Sequence, residues 1–200
     1  MSLSQLQICN LALNHLGMNS VSALTDDNPS VDACNVFYEP VRDDVFRELK
    51  WPFATIQAVL TTTSATIVGW DYVYTYPANA VTVWSVYNEA TVDRKDEQEF
   101  EVLLSDETST GAKIICTNTA DAYADYTFKT SDTSVYDTKF VFALSYKLAA
   151  TMAHMLIGSA EKGLKLMEIY NAIIHEAKRI SAIEKLKKPV FNSSYQDSRG

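Results

Sequence analysis

Ala54 to Thr62, ATIQAVLTT, is the stretch on which the reading of the fold turns. Before it, apolar residues recur every three or four positions, the spacing of a helix that buries one face. From Ala54 onward β-branched and aromatic residues dominate and periods of two take over, the spacing of strands. WDYVYTYP (70–77), AVTVWSVY (80–87), EFEVLLS (99–105), KIICTN (113–118) and ADYTFKT (124–130) continue the pattern. Turns rich in Ser, Thr, Asp and Gly, such as LSDETSTGA, separate them. An antiparallel sheet of about five or six strands is expected.

Helical spacing brackets this region. In LSQLQICNLALNHL (3–16), Leu3, Leu6, Cys9, Ala12, Leu13 and Leu16 make a stripe, with Ser2 or Ser4 placed to cap the start and Gly17 the end. A second pattern from Ser30 to Leu49 turns Ala33, Cys34, Phe37, Val41, Val45 and Leu49 inward, and Pro40 is expected to kink or divide it. KFVFALSYKLAATMAHMLIG resumes the helical period, with Phe140, Leu144, Leu148, Thr151 and Met155 on one face before Gly158. The last helix, Ala160 to Lys187, points Leu164, Met167, Tyr170, Ile174, Ala177, Ile180 and Ile183 at a partner. The expected fold class is therefore α+β: N- and C-terminal helices (1–53 and 138–188) form an antiparallel bundle, and an antiparallel sheet (54–137) is inserted between them. Pro189 breaks the last helix and leaves an extended C-terminal tail, 189–200.

With 200 residues, 47% of them hydrophobic, the chain can bury a core without staples. Cys9, Cys34 and Cys116 have no close pairing in sequence and read as free structural thiols. No secretory leader or membrane span is apparent, and no membrane partner is expected. Net charge is −8, but residues 1–137 carry 7 Lys/Arg against 20 Asp/Glu while residues 138–200 carry 10 against 5. An acidic body argues against ordinary duplex binding, which draws affinity from cations neutralising phosphates.

Motifs for chemistry are sparse. His15, His154 and His175 lack metal-ligand spacing, and no nucleophile elbow, phosphate loop or dinucleotide fingerprint occurs, so neither metal nor cofactor is expected. Carboxylates are plentiful, and Asp43, Asp44, Glu99 and Glu101 are candidates for the acid and base of a glycosidase-like pair, although spacing alone selects no pair. Alternation along QEFEVLL places Glu99 and Glu101 outside and Phe100 and Val102 inside. In WDYVYTY the same rule puts Trp70, Tyr72, Tyr74 and Tyr76 on one face, more aromatic surface than a small sheet needs. With Trp84 and Tyr87 they are candidates for subunit contact. The tail carries Val190, Phe191 and Tyr195 behind Lys185, Lys187 and Lys188, a candidate docking element.

Four separated segments, ICNLALNHLGMNSVSAL, YEPVRDDVFRELKWPFA, GWDYVYTYPANAV and KFVFALSYKLAATMAHMLIG, resemble in order the landmarks of bacteriophage head-to-tail adaptor (connector) proteins, the tail tubular protein A family of short-tailed phages. Trp51, Pro52, Phe53 and Ala54, and the series Trp70, Tyr72, Tyr74, Tyr76 and Pro77, carry the resemblance most specifically. It implies a structural virion protein of the phage neck, assembled in the host cytoplasm, and not an enzyme. It implies a ring, commonly of twelve copies, with the portal protein above, a tail nozzle protein below, and a channel through which double-stranded DNA passes unbound. The basic tail then reads as the portal clamp. The alternatives are a tail-associated peptidoglycan hydrolase using the carboxylates above, and a DNA-binding protein acting through residues 178–188.

Overall fold

The computed structural model describes residues 3–88, 97–105 and 111–184. Among them are four α-helices and six strands: α1 (Gln5–Leu16), α2 (Pro29–Glu48), β1 (Thr55–Val59), β2 (Tyr72–Thr75), β3 (Ala80–Asn88), β4 (Phe100–Leu104), β5 (Lys113–Thr117), β6 (Ala122–Phe128), α3 (Thr138–Ile157) and α4 (Ala160–Glu184). The protein is α+β, with its strands between two pairs of helices.

Local chemistry sets the helix limits. Ser4 and Gln7 form a reciprocal capping box on α1, and Gly17 closes it in the left-handed region at φ 81°. Asn28 caps α2 and Asp137 caps α3, each accepting from a first-turn amide. α2 runs unbroken through Pro40, against the expected division. Pro40 and Val36, whose carbonyl loses its usual partner, are both exposed, so water can replace the missing bond.

One core unites all four helices, with Ile8, Leu13, Val45, Phe46, Leu144, Leu148, Met152 and Tyr170 among its buried side chains. α3 packs against each of the other three. It is the one described helix long and apolar enough to cross a membrane, and its Phe140, Leu144, Leu148 and Met152 are spent on this core. The inward line expected along α3 fails at Thr151 and Met155, which are exposed, and continues through Met152 and Ala153. Successive steps of four overshoot a 3.6-residue turn by about 40° each, so the buried line drifts around the helix. On α4 the expected Leu164 is 68% exposed and Leu166 is buried instead. Two steps of three, from 164 to 170, fall short of full turns by about 120°, which carries Leu164 off the face of Tyr170.

All six strands form, but not as one sheet. They make two three-stranded antiparallel sheets, ordered β1-β6-β3 and β2-β5-β4. Backbone hydrogen bonds stitch the two together at both ends. After β1, the Thr75 amide donates to the Thr61 carbonyl at 2.8 Å and the Thr63 amide to the Val73 carbonyl at 3.0 Å. Before β4, the Gln98 amide donates to the Val86 carbonyl at 2.8 Å. With these links each of the six strands has two neighbours, and the circuit β1-β2-β5-β4-β3-β6 closes on itself. Two register shifts along β3 supply the bend that closure needs. The interior holds Leu60, Tyr74, Val86, Ile115, Ala122 and Ala124, while Val73, Ile114 and Cys116 face outward under Ala65, Ile67 and Trp70.

Candidate functional site

The WPFA segment positions everything else, because it is where the strands are anchored to the helices. Trp51 is buried, its indole N–H donating to the Val45 carbonyl at 2.9 Å across the end of α2. Phe46, Trp51, Phe53 and Tyr136 surround Phe140 of α3 at centroid distances of 4.6, 5.1, 5.2 and 4.8 Å. Tilted and edge-on geometries of this kind add to burial.

Polar links tie the same parts. Asp125 of β6 is 4% exposed and forms an ion pair with Lys50; its other carboxylate oxygen accepts from the Tyr87 hydroxyl at 3.0 Å. Burial pushes this carboxyl up, but Lys50, then Gln57 and Tyr87, outweigh burial and hold it below its usual value. Asp43 accepts from the buried Arg42 at 2.8 Å and from Lys129 at 2.6 Å. Lys147 of α3 reaches Asp44 at 2.6 Å, Glu48 at 3.5 Å and the Tyr170 hydroxyl at 3.1 Å, joining α2, α3 and α4.

The aromatic ribbon does not share one face. Tyr74 is 1% exposed inside the strand circuit, where its hydroxyl donates to the Thr119 carbonyl at 2.8 Å and accepts from the Ala122 amide at 3.3 Å. It is a core residue and not a contact surface. Trp70 packs with the outward cluster around Val73, opposite to expectation, since Gly69 at φ 93° turns the chain and strand alternation begins only at Tyr72. Tyr72 is 39% exposed and stacks on Tyr74 at 6.5 Å; Tyr76 is half-buried, with the Lys113 ammonium 5.4 Å from its ring centre. Trp84 and Tyr87 are half-buried, the indole N–H donating to Thr127 Oγ1 at 2.7 Å and the phenol to Asp125. Of the six residues, Tyr72 presents the most open ring.

The four candidate carboxylates divide between distant roles. Asp43 and Asp44 are held in the ion pairs just described, whereas Glu99 and Glu101 are exposed beside and within β4, on the second sheet. Phe100 packs inward as alternation requires, but Val102 on the same side is 40% exposed. The histidines stay apart. His15 stacks on Tyr146 at 3.9 Å with Nε2 3.2 Å from Ser145 Oγ, while His154 and His175 are exposed on α3 and α4. Burial, then Lys162, lowers the His15 pKa. Cys9 and Cys34, far apart in sequence, meet between α1 and α2: their mutual hydrogen bond, then burial, pushes the Cys9 thiol up. Lys185, Lys187, Lys188, Val190, Phe191 and Tyr195 lie outside the described residues.

Large apolar side chains that sequence spacing assigned inward, or passed over, stand open at single positions along the chain, Val36, Val135, Phe142 and Ile169, and several together in two regions. On the strand side these are Ile56, Val59, Val68, Tyr72, Val102 and Leu104. On the helical side, Met155, Ile157 and Leu164 crowd the turn between α3 and α4. That turn is tight because Gly158 caps α3 at φ 63° and Gly163 has no side chain to meet the Ala150 carbonyl, 3.1 Å from where its Cβ would stand. The two glycines are the sequence signal that could have placed Met155 and Leu164 outside. Comparison of the chain with protein-family models found no match, and comparison with curated proteins found none either.

Proposed function

We propose that this chain is a non-enzymatic structural subunit of a phage head-to-tail joint. Copies of it pack side by side into a ring, twelve by the resemblance, between the portal and the tail nozzle. The four helices form the bundle of that subunit, the strand circuit its β-rich part, and the basic tail the portal clamp. One observation carries the reading: large apolar side chains are open on two different elements, the strand circuit and the α3–α4 turn. A closed ring is built from head-to-tail contacts, so each subunit needs two unlike faces. A two-fold dimer needs only one. Among the aromatic candidates, Tyr72, with Trp70, Tyr76, Trp84 and Tyr87 half-buried around the strands, joins the first face; Met155 and Leu164 join the second. The acidic body suits a conduit, since few free cations are offered to passing phosphates.

The test is assembly with a portal of the same genome, followed by native mass spectrometry and negative-stain imaging. The isolated chain is expected to be monomeric or weakly associating, with rings forming on the portal, and removal of 189–200 should abolish docking. A truncated chain that docks as well as the intact one would refute the clamp. Absence of any ring on the portal would refute the adaptor.

A further inference from the structure

The end of α2, the start of α3 and the last described turns of α4 enclose a groove of about 220 Å³. Leu49, Trp51, Pro52, Ala177 and Ile180 wall it, with Asp137 and Lys139 alongside. Small-molecule sites run from about 300 to 1,000 Å³, so this one is too small for a typical metabolite and suits one or two apolar side chains. Lys139 is taken by Glu176 at 2.7 Å, which leaves Asp137, exposed at the head of α3, as the charge available to an incoming segment.

The sequence itself supplies such a segment. α4 forms one wall, and from its end the chain continues as KLKKPVFNSSYQDSRG, residues 185–200. Pro189 has no amide hydrogen to donate, which disfavours continuing a helix through it. Val190 and Phe191 are the first large apolar residues beyond Pro189, and Lys185, Lys187 and Lys188 precede it with charge opposite to Asp137. From Glu184 to Phe191 an extended chain spans up to about 23 Å, about twice a helix diameter, so folding back to Trp51 and Pro52 is within reach. A tether this short gives an effective concentration on the order of millimolar, which a second copy at micromolar concentration does not match. We propose that this groove seats the chain's own C-terminal segment, with Val190 and Phe191 against Trp51, Pro52 and Ile180. The proposal concerns the isolated chain and stands without the ring reading.

Disulfide trapping tests it. Pro52 is exposed; Cys9, Cys34 and Cys116 are buried, and because Cys9 and Cys34 meet, the 52–192 link formed under a mild oxidant such as oxidised glutathione is identified by peptide mapping in a Cys9→Ala, Cys34→Ala background. Pro52→Cys with Asn192→Cys, which keeps both apolar anchors, should form an intrachain disulfide in most molecules at a rate independent of protein concentration. Adding Phe191→Ser should slow that rate about tenfold, the loss expected for removing one buried aromatic anchor. Disulfide-linked dimers whose share rises with concentration would overturn the proposal in favour of a neighbour's tail. So would a rate unchanged by Phe191→Ser, or one no faster than that of Glu101→Cys with Asn192→Cys. Amide exchange without engineered cysteines gives a second readout: Phe191→Ser should speed exchange at Ala177 to Ser181, and unchanged exchange there would count against the groove.

Discussion

Replacing Lys50 by Met examines the link between helices and strands. Lys50 follows α2, and its side chain is 20% exposed; Asp125, its partner in β6, is almost wholly buried. Methionine keeps the aliphatic stem, so packing changes little, but the Asp125 charge loses its only ion-pair partner among the described residues. Breaking a buried pair by removing one member costs about 3–5 kcal/mol. Here Lys50 is partly hydrated, and Tyr87 and Gln57 still donate to the carboxylate, so about 2–3 kcal/mol is expected. For a chain of this size that corresponds to a fall in Tm of about 5–10 °C.

The pH dependence distinguishes this account from a packing defect. A carboxyl whose folded pKa is depressed stabilises the fold above its unfolded value, near about 3.9, and loses that contribution as pH falls through the lower folded value. In Lys50→Met, burial is opposed only by the two neutral donors, so the carboxyl rises. The difference between wild type and variant should therefore be large at neutral pH and shrink below the unfolded value, where a protonated Asp125 needs no cation. Urea unfolding at neutral pH and near pH 3 measures it, and Lys50→Met with Asp125→Asn should recover more than half of the loss. An equal difference at both pH values, or a loss under about 0.5 kcal/mol at neutral pH, the scale of an exposed pair, would refute the reasoning.

Other residues give independent checks. Tyr74→Phe should cost about 1–2 kcal/mol in urea unfolding, because the Ala122 amide and the Thr119 carbonyl are left unpaired in the strand interior; Tyr72→Phe should cost nothing measurable. His15 is held neutral in the fold by burial and then by Lys162, while the unfolded chain takes up a proton near about 6.5. Stability should thus decline as pH falls from that value through the lower folded one, and His15→Gln should flatten this part of the profile. Gly163→Ala gains helix propensity of about 1 kcal/mol but places a methyl 3.1 Å from the Ala150 carbonyl. A net loss of about 1–2 kcal/mol in thermal melts is expected if overpacking wins, and a net gain would show that the α3–α4 contact yields.

Element type was legible in the sequence because one period governs each segment: all six strands and all four helices stand where alternation or helical spacing places them. What periodicity does not carry is how strands close. The TTTSAT stretch (61–66) holds Thr61 and Thr63, whose backbone bonds to Thr75 and Val73 join the two sheets. Nothing in their side chains announces that, since the bonds are made by the main chain. Face assignments failed for a different reason. Alternation was extended back to Trp70, across Gly69, where the chain is still turning. On α4, steps of three fall short of a full turn by about 60° each, and the accumulated drift carries Leu164 to the surface. The meeting of Cys9 with Cys34 depends on how α1 crosses α2, a relation that neither helix states by itself.

The charge gradient along the sequence also changes meaning once partners are assigned. Arg42, Lys50, Lys129, Lys139, Lys147 and Lys165 each lie in an ion pair with a carboxylate of the folded body. Cations committed in this way are weak contributors to phosphate binding, because each must first be released from a neighbour before it can displace a counterion from DNA. The pairing lowers the cationic surface of the body without removing it, since Arg47, Lys113, Lys162, Lys178 and Arg179 are in none of these pairs. Among the described residues the body is thus less attractive to a polyanion than its count of cations suggests, through pairings that sequence counting alone cannot see.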